Sequence, residues 1–155
     1  MVNPGLAART KDPPFAGAFE LKVESVTIGR FTEVTGLSVS LQVEEYAEGG
    51  NNEAPLKLPS RLTWPNLVLK RGLTDDDNLL AWILSCGGDG LGKSGGEVPR
   101  HSATITMFDS MHQPVRRWNV REVLPVRWTG PQFAAGSTAL AMEELEMCHG
   151  GFTVA

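Results

Sequence analysis

The run from Phe19 to Glu44, FELKVESVTIGRFTEVTGLSVSLQVE, decides the fold class, because its apolar residues recur at every second position rather than every third or fourth. Phe19, Leu21 and Val23 point one way and Glu20, Lys22 and Glu24 the other, the pattern of a half-buried antiparallel strand. Ile28-Gly29-Arg30 reads as a tight turn, and after Phe31, Glu33, Val34 and Thr35 a second break falls at Gly36. A third strand then starts at Leu37, with Leu37, Val39, Leu41 and Val43 alternating against Ser38, Ser40, Gln42 and Glu44.

Outward from this run the chain keeps the same character. Its 155 residues are about one domain's worth, and 17 glycines and 10 prolines suit short strands joined by turns. With 41% hydrophobic and 21% charged residues it is neither disordered nor collagen-like. The longest apolar run, Leu79 to Leu84, is far short of the ~20 residues a membrane-spanning helix needs. Residues 1 to 14 carry Pro4, Gly5, Pro13 and Pro14 and no apolar signal core, so they read as a flexible N-terminal arm before a single domain at 15 to 155. Cys86 and Cys148 stand far apart and outside any CxxC spacing, which argues for two buried thiols rather than a disulfide framework or a zinc site. A net charge of −4 disfavours a general nucleic-acid surface.

Further along, Tyr46 to Ser60 forms a polar tip long for a hairpin, centred on Glu48-Gly49-Gly50-Asn51-Asn52-Glu53. Leu62 to Lys70 returns as a strand, which Pro65 inside it demotes to an edge or a bulged position. Thr74, as an N-cap, with Asp75, Asp76 and Asp77 in the first turn and Leu79, Leu80, Trp82 and Ile83 at helical spacing, predicts one helix, stopped at Cys86-Gly87-Gly88. A glycine-rich loop runs to Pro99, His101 to Phe108 alternates as a strand, Asp109 to Pro114 turns, and Val115 to Trp128 is extended with a break at Pro125. The segment Thr138 to His149 has helical composition. The sum is mainly β: six or seven strands and one helix, a small antiparallel barrel or sandwich.

No set of residues assembles a general acid, base and nucleophile. Gly87-x-x-x-x-Gly92-Lys93-Ser94 matches the phosphate-loop pattern, but such a loop needs a strand before it and a helix after it, whereas here a helix precedes and Gly95-Gly96-Glu97-Val98-Pro99 follows. A solvated loop is the better reading. Asp75 to Asp77 read as helix capping rather than a metal cluster, and His101, His112 and His149 are isolated. Arg116, Arg117, Arg121 and Arg127, interleaved with Trp118 and Trp128, could stack nucleic-acid bases, but a sheet face complementing Glu143, Glu144 and Glu146 is favoured by the acidic balance. No catalytic residue, metal site or cofactor is indicated.

Three stretches resemble the tube proteins of contractile tails, the family shared by myophage tail tubes and extracellular contractile injection systems and related to the type VI secretion tube protein. They are FELKVESVTIGRFTEVTGL from Phe19; Glu45-Tyr46-Ala47-Glu48-Gly49-Gly50-Asn51-Asn52 with Lys57-Leu58-Pro59 and Leu69-Lys70-Arg71-Gly72; and WNVREVLPVRWTGPQF from Trp118 with Glu143 to Gly150. The resemblance spans residues 15 to 152. It implies a barrel-like sandwich with one flanking helix, six-membered rings stacked into a hollow tube, and no catalysis. Its implied partners are other copies of itself, sheath, baseplate or tube-initiator, tape-measure and tube-terminator proteins, and DNA or protein cargo in the lumen. Assembly would occur in the bacterial cytoplasm, without a membrane anchor, for a virion tail or a released particle. It also implies that Thr138 to His149 is a strand. The tip and its flanks, Tyr46, Glu48, Gly49, Gly50, Asn51, Asn52, Lys57, Lys70 and Arg71, are then the expected subunit interface. Two other classes remain open: a monomeric β-barrel binding module, and a nucleotide-binding protein built on residues 87 to 94.

Overall fold

The computed structural model describes residues 17–155 apart from 48, 51–53, 75–76, 90–91, 93–94, 96, 98–99, 132–134 and 137–140. The expected N-terminal arm at 1–14 lies outside the described residues. Among the described residues the strands and helix run in the order β1 (Ala18–Val23), β2 (Val26–Phe31), β3 (Glu33–Thr35), β4 (Ser40–Tyr46), β5 (Leu56–Thr63), β6 (Leu67–Gly72), α1 (Asn78–Ser85), β7 (His101–Phe108), β8 (Pro114–Thr129), β9 (Met142–Cys148) and β10 (Phe152–Val154).

Eight of the strands make one antiparallel sheet in the order β2-β1-β7-β8-β9-β6-β3, with β10 added against β8. The sixteen-residue β8 holds its two halves together. It pairs with β7 as far as Val123 and with β9 from Leu124, and Glu122, at φ 52°, supplies the bend between the two ladders. The outermost strands, β2 and β3, are consecutive in sequence, so the sheet curls round toward its own far edge. There the Thr32 amide donates to the Lys70 carbonyl at 2.9 Å, and the barrel stays open along the rest of that seam. The space enclosed is filled by Leu21, Phe31, Leu69, Ile105, Val123 and Leu145, with Leu79 and Trp82 of α1 capping it. Cys86 is buried, Cys148 half-buried, and both are free thiols. Among the described residues no helix is long and apolar enough to cross a membrane.

Several expectations need correction. The first turn is not at Ile28-Gly29-Arg30, which lies inside β2, but at Glu24 and Ser25, whose φ values of 48° and 69° match a two-residue hairpin turn. Gly29 is there for space: an added Cβ would meet the guanidinium of Arg71. Residues 62–70 are two strands, not one, and Pro65 sits in the gap; β6 is an interior strand, paired with β9 and β3, rather than an edge. Pro125 does not break β8, because the ladder absorbs it with a register shift between Pro125 and Arg127. Residues 37–39 are not strand. The helix begins only at Asn78, so the acids precede it; Asp77 holds the N-cap position without a side-chain cap bond, and 75–76 lie outside the described residues. In the segment with helical composition, Met142–Cys148 is strand β9, set between β8 and β6, as the family resemblance implied and against the local propensity.

Candidate assembly surface

β4 and β5 pair with each other in a two-stranded sheet of their own and pack chiefly on each other. Their ladder continues the one below it. Thr35 stands opposite Val68, and five residues on Ser40 stands opposite Thr63, five residues back, so β3–β4 and β5–β6 are one long hairpin that carries its register across the break as far as Leu41 and shifts it between Leu41 and Val43. Its lower half belongs to the body. Its upper half leaves the body as an arm.

The arm breaks at residues 36–39 on one strand and 64–66 on the other. Gly36 makes the first break possible, since its φ of +92° disfavours any side chain and a Cβ there would collide with the Asn66 carbonyl. Beyond the break the alternation that reads as a half-buried strand continues with nothing to bury against. Leu41 stands opposite Leu62 and Val43 opposite Pro59 on one face, while Tyr46 stands opposite Leu56 and Glu44 opposite Leu58 on the other. The six large apolar side chains among these, Leu41, Val43, Tyr46, Leu56, Leu58 and Leu62, are between 43% and 65% exposed. A lone two-stranded ribbon is marginal in water, and one apolar on both faces is built to be covered.

Residues 16–153 match the family described as T4-like virus tail tube protein gp19. This chain belongs to that family. The fold of this tail tube protein is shared with a chain of the PVC sheath-tube complex in the extended state, from an extracellular contractile injection system, at 24% identity over 94% of this chain and 93% of that one, TM-score 0.76. A chain of the anti-feeding prophage cap, the tube terminating cap, aligns at 21% identity over 100% and 99% of the two chains, TM-score 0.77. Hcp1 from Salmonella typhimurium is more distant, at 12% identity over 91% and 93%, TM-score 0.52. No curated protein sequence matches the chain.

The expected interface residues of this tail tube protein fall in two places. Tyr46 closes β4, Gly49 and Gly50 form the turn of the tip, and Lys57 lies opposite Glu45 in β5, so these four share the arm. Glu48, Asn51 and Asn52 lie outside the described residues. Lys70 and Arg71 are in the body on β6. Lys70 Nζ is 3.7 Å from Glu144 Oε2 at the surface, whereas the Arg71 side chain is buried, its Nε donating to Glu143 Oε2 at 2.9 Å and its guanidinium over the Phe31 ring at 5.6 Å. Arg71 thus ties β6 to β9 within the subunit. Apart from Tyr46, the large apolar side chains of the arm are residues that sequence reasoning did not single out for the interface. Their signal was the alternation itself, which reads as strand without saying what covers the apolar positions.

The remaining sequence candidates are dispersed. Of the arginines on β8, Arg127 reaches Glu146 at 3.8 Å, Arg116 lies over the Trp118 ring at 5.8 Å, and Arg121 Nη2 donates to the Gly150 carbonyl at 3.0 Å. Glu143 and Glu144 pair with β6, so only Glu146 is complemented by the β8 arginines as expected. Lys93 and Ser94 of the phosphate-loop pattern lie outside the described residues, and the element before that pattern is α1, where such a loop requires a strand. Among the described residues no group of three or more His, Cys, Asp or Glu side chains could hold a metal ion. The tail tube protein is a structural subunit.

Proposed function

We propose that this tail tube protein forms six-membered rings that stack into the hollow inner tube of a contractile phage tail or extracellular contractile injection system, each subunit's arm docking on a neighbouring copy. The observation that carries this reading is the arm: one long hairpin, half in the core and half projecting, with large apolar side chains exposed on both faces of the projecting half. A second copy of the chain is the occupant that a tube protein always has at hand, and identical arms reaching identical acceptors form a ring when the rotation from one copy to the next closes. The tip at 47–55, with the interface residues Glu48, Asn51 and Asn52, extends this contact.

The work is mechanical. The tube is a passive conduit for DNA or protein, moved by a contracting sheath, so the subunit needs no catalytic residue, cofactor or metal. Similar chains come from a sheath-tube complex, a tube terminating cap and a baseplate, which supports sheath, terminator and baseplate proteins as partners, alongside a tape-measure protein, with assembly in the bacterial cytoplasm. Negative-stain electron microscopy over a concentration series tests the reading. Six-fold rings or hollow tubes are expected; particles that remain monomeric at every concentration, even with a baseplate template added, would overturn it in favour of a monomeric binding module.

A further inference from the structure

The arm joins the body through two short segments, and the second of them, Trp64 to Asn66, is gripped by the turn between β9 and β10. Trp64 lies edge-on to Phe152, with ring centroids 5.0 Å apart, and to His149 at 6.0 Å. Gly151, at φ +121°, lets the indole down onto the turn, for a Cβ there would stand 3.0 Å from Trp64 Cε2 and 2.8 Å from Arg121 Nη2. Asn66 Nδ2 donates to Glu146 Oε1 at 2.9 Å. At the centre, His149 uses both ring nitrogens. The Gly151 amide can only donate, so Nδ1, 3.0 Å away, is an acceptor; the ring proton sits on Nε2, which donates to the Pro65 carbonyl at 3.0 Å.

We infer that His149 is a latch that fixes the direction in which the arm leaves the body, and is thereby a positioning residue for assembly rather than a contact between subunits. The inference rests on the reading that the arm docks on a neighbouring copy. A ribbon tethered by two short segments can swing, and docking a swinging ribbon carries an ordering cost that weakens association. The latch removes that cost before contact. Its partners are the backbone of Pro65 on the arm side and of Gly151 on the body side, so it reads the path of the chain and not a particular side chain.

The test measures amide hydrogen exchange on unassembled subunits and, separately, the midpoint concentration for tube formation. His149→Ala removes both hydrogen bonds; His149→Gln keeps an acceptor and a donor about as far apart as the two ring nitrogens. With both bonds lost, His149→Ala should raise exchange across residues 40–46 and 56–63 by about tenfold or more and raise the assembly midpoint by about tenfold, with β1, β7 and β9 still protected. His149→Gln should return both readouts most of the way to the natural protein. Unchanged arm exchange in His149→Ala overturns the latch whether or not tubes form. Faster exchange with an unchanged midpoint overturns its positioning role, and equal failure of the Ala and Gln variants overturns the hydrogen-bond mechanism. Should His149→Ala lose protection throughout, Asn66→Ala loosens the same segment at an exposed site and must show arm-specific exchange, or the latch fails. If the natural protein forms no tubes on any template, the tube reading falls, and the exchange data alone decide the latch.

Discussion

Arg71 and Glu143 face each other across β6 and β9 with 4% and 7% of their side chains exposed, and two residues accommodate the guanidinium. Gly29 leaves the space that the guanidinium enters, and Phe31 offers it a ring face. A buried ion pair of this kind adds little over an apolar pair of equal volume, but leaving one member unpaired is costly. We expect Arg71→Met to destabilise the subunit by about 3–5 kcal/mol, and Arg71→Met combined with Glu143→Leu to recover most of that loss. Urea unfolding of unassembled protein checks this; single and double variants of equal stability would show that the pair is not coupled. The sequence displayed Lys70-Arg71-Gly72 plainly, yet a basic dipeptide beside a polar tip reads as surface. The partner of Arg71 lies 72 residues away, and no local pattern marks which of two adjacent cations turns inward.

Strands legible by alternation were those with one wet and one dry face, such as β1 and β7, the latter with the bounds the sequence suggested. β9 was legible only through family resemblance, because Met142–Cys148 carries good helix formers and its strand form comes from ladders on both sides, to β8 and β6. The arm was half legible. Its alternation announced strands, but period two says only that two faces differ, not what lies against them. Burying the exposed half of Leu41 and of Leu62 in a neighbour contributes about 0.8–1.5 kcal/mol each, so Leu41→Ser with Leu62→Ser should raise the concentration for assembly by about one to two orders of magnitude. The body should unfold at the same urea concentration as before, since the arm lies outside its core. Sedimentation velocity separates the cases: tubes at the natural concentration would mean that this face of the arm is not an interface.

At the scale of the whole molecule, the subunit is asymmetric. It gives one arm and, in the proposed ring, receives one elsewhere on its surface, which makes the contact heterologous. A self-complementary contact would stop at two copies; a heterologous one closes a ring only when every member both gives and receives. A variant lacking residues 48–53 and carrying Leu41→Ser and Leu62→Ser keeps the acceptor surface but has a defective arm, so it can enter a ring without passing the contact on. If incorporation is random, six-membered rings with no defective member fall to about half when one subunit in ten is the variant, and to about a quarter when one in five is. Tube mass should therefore fall much faster than the fraction of variant added, which a turbidity or pelleting titration against the natural protein measures. A loss that only tracks dilution would mean that armless subunits are excluded, and that the arm must dock before the acceptor surface exists. That outcome would make the arm a switch for its own receptor rather than one half of a preformed contact.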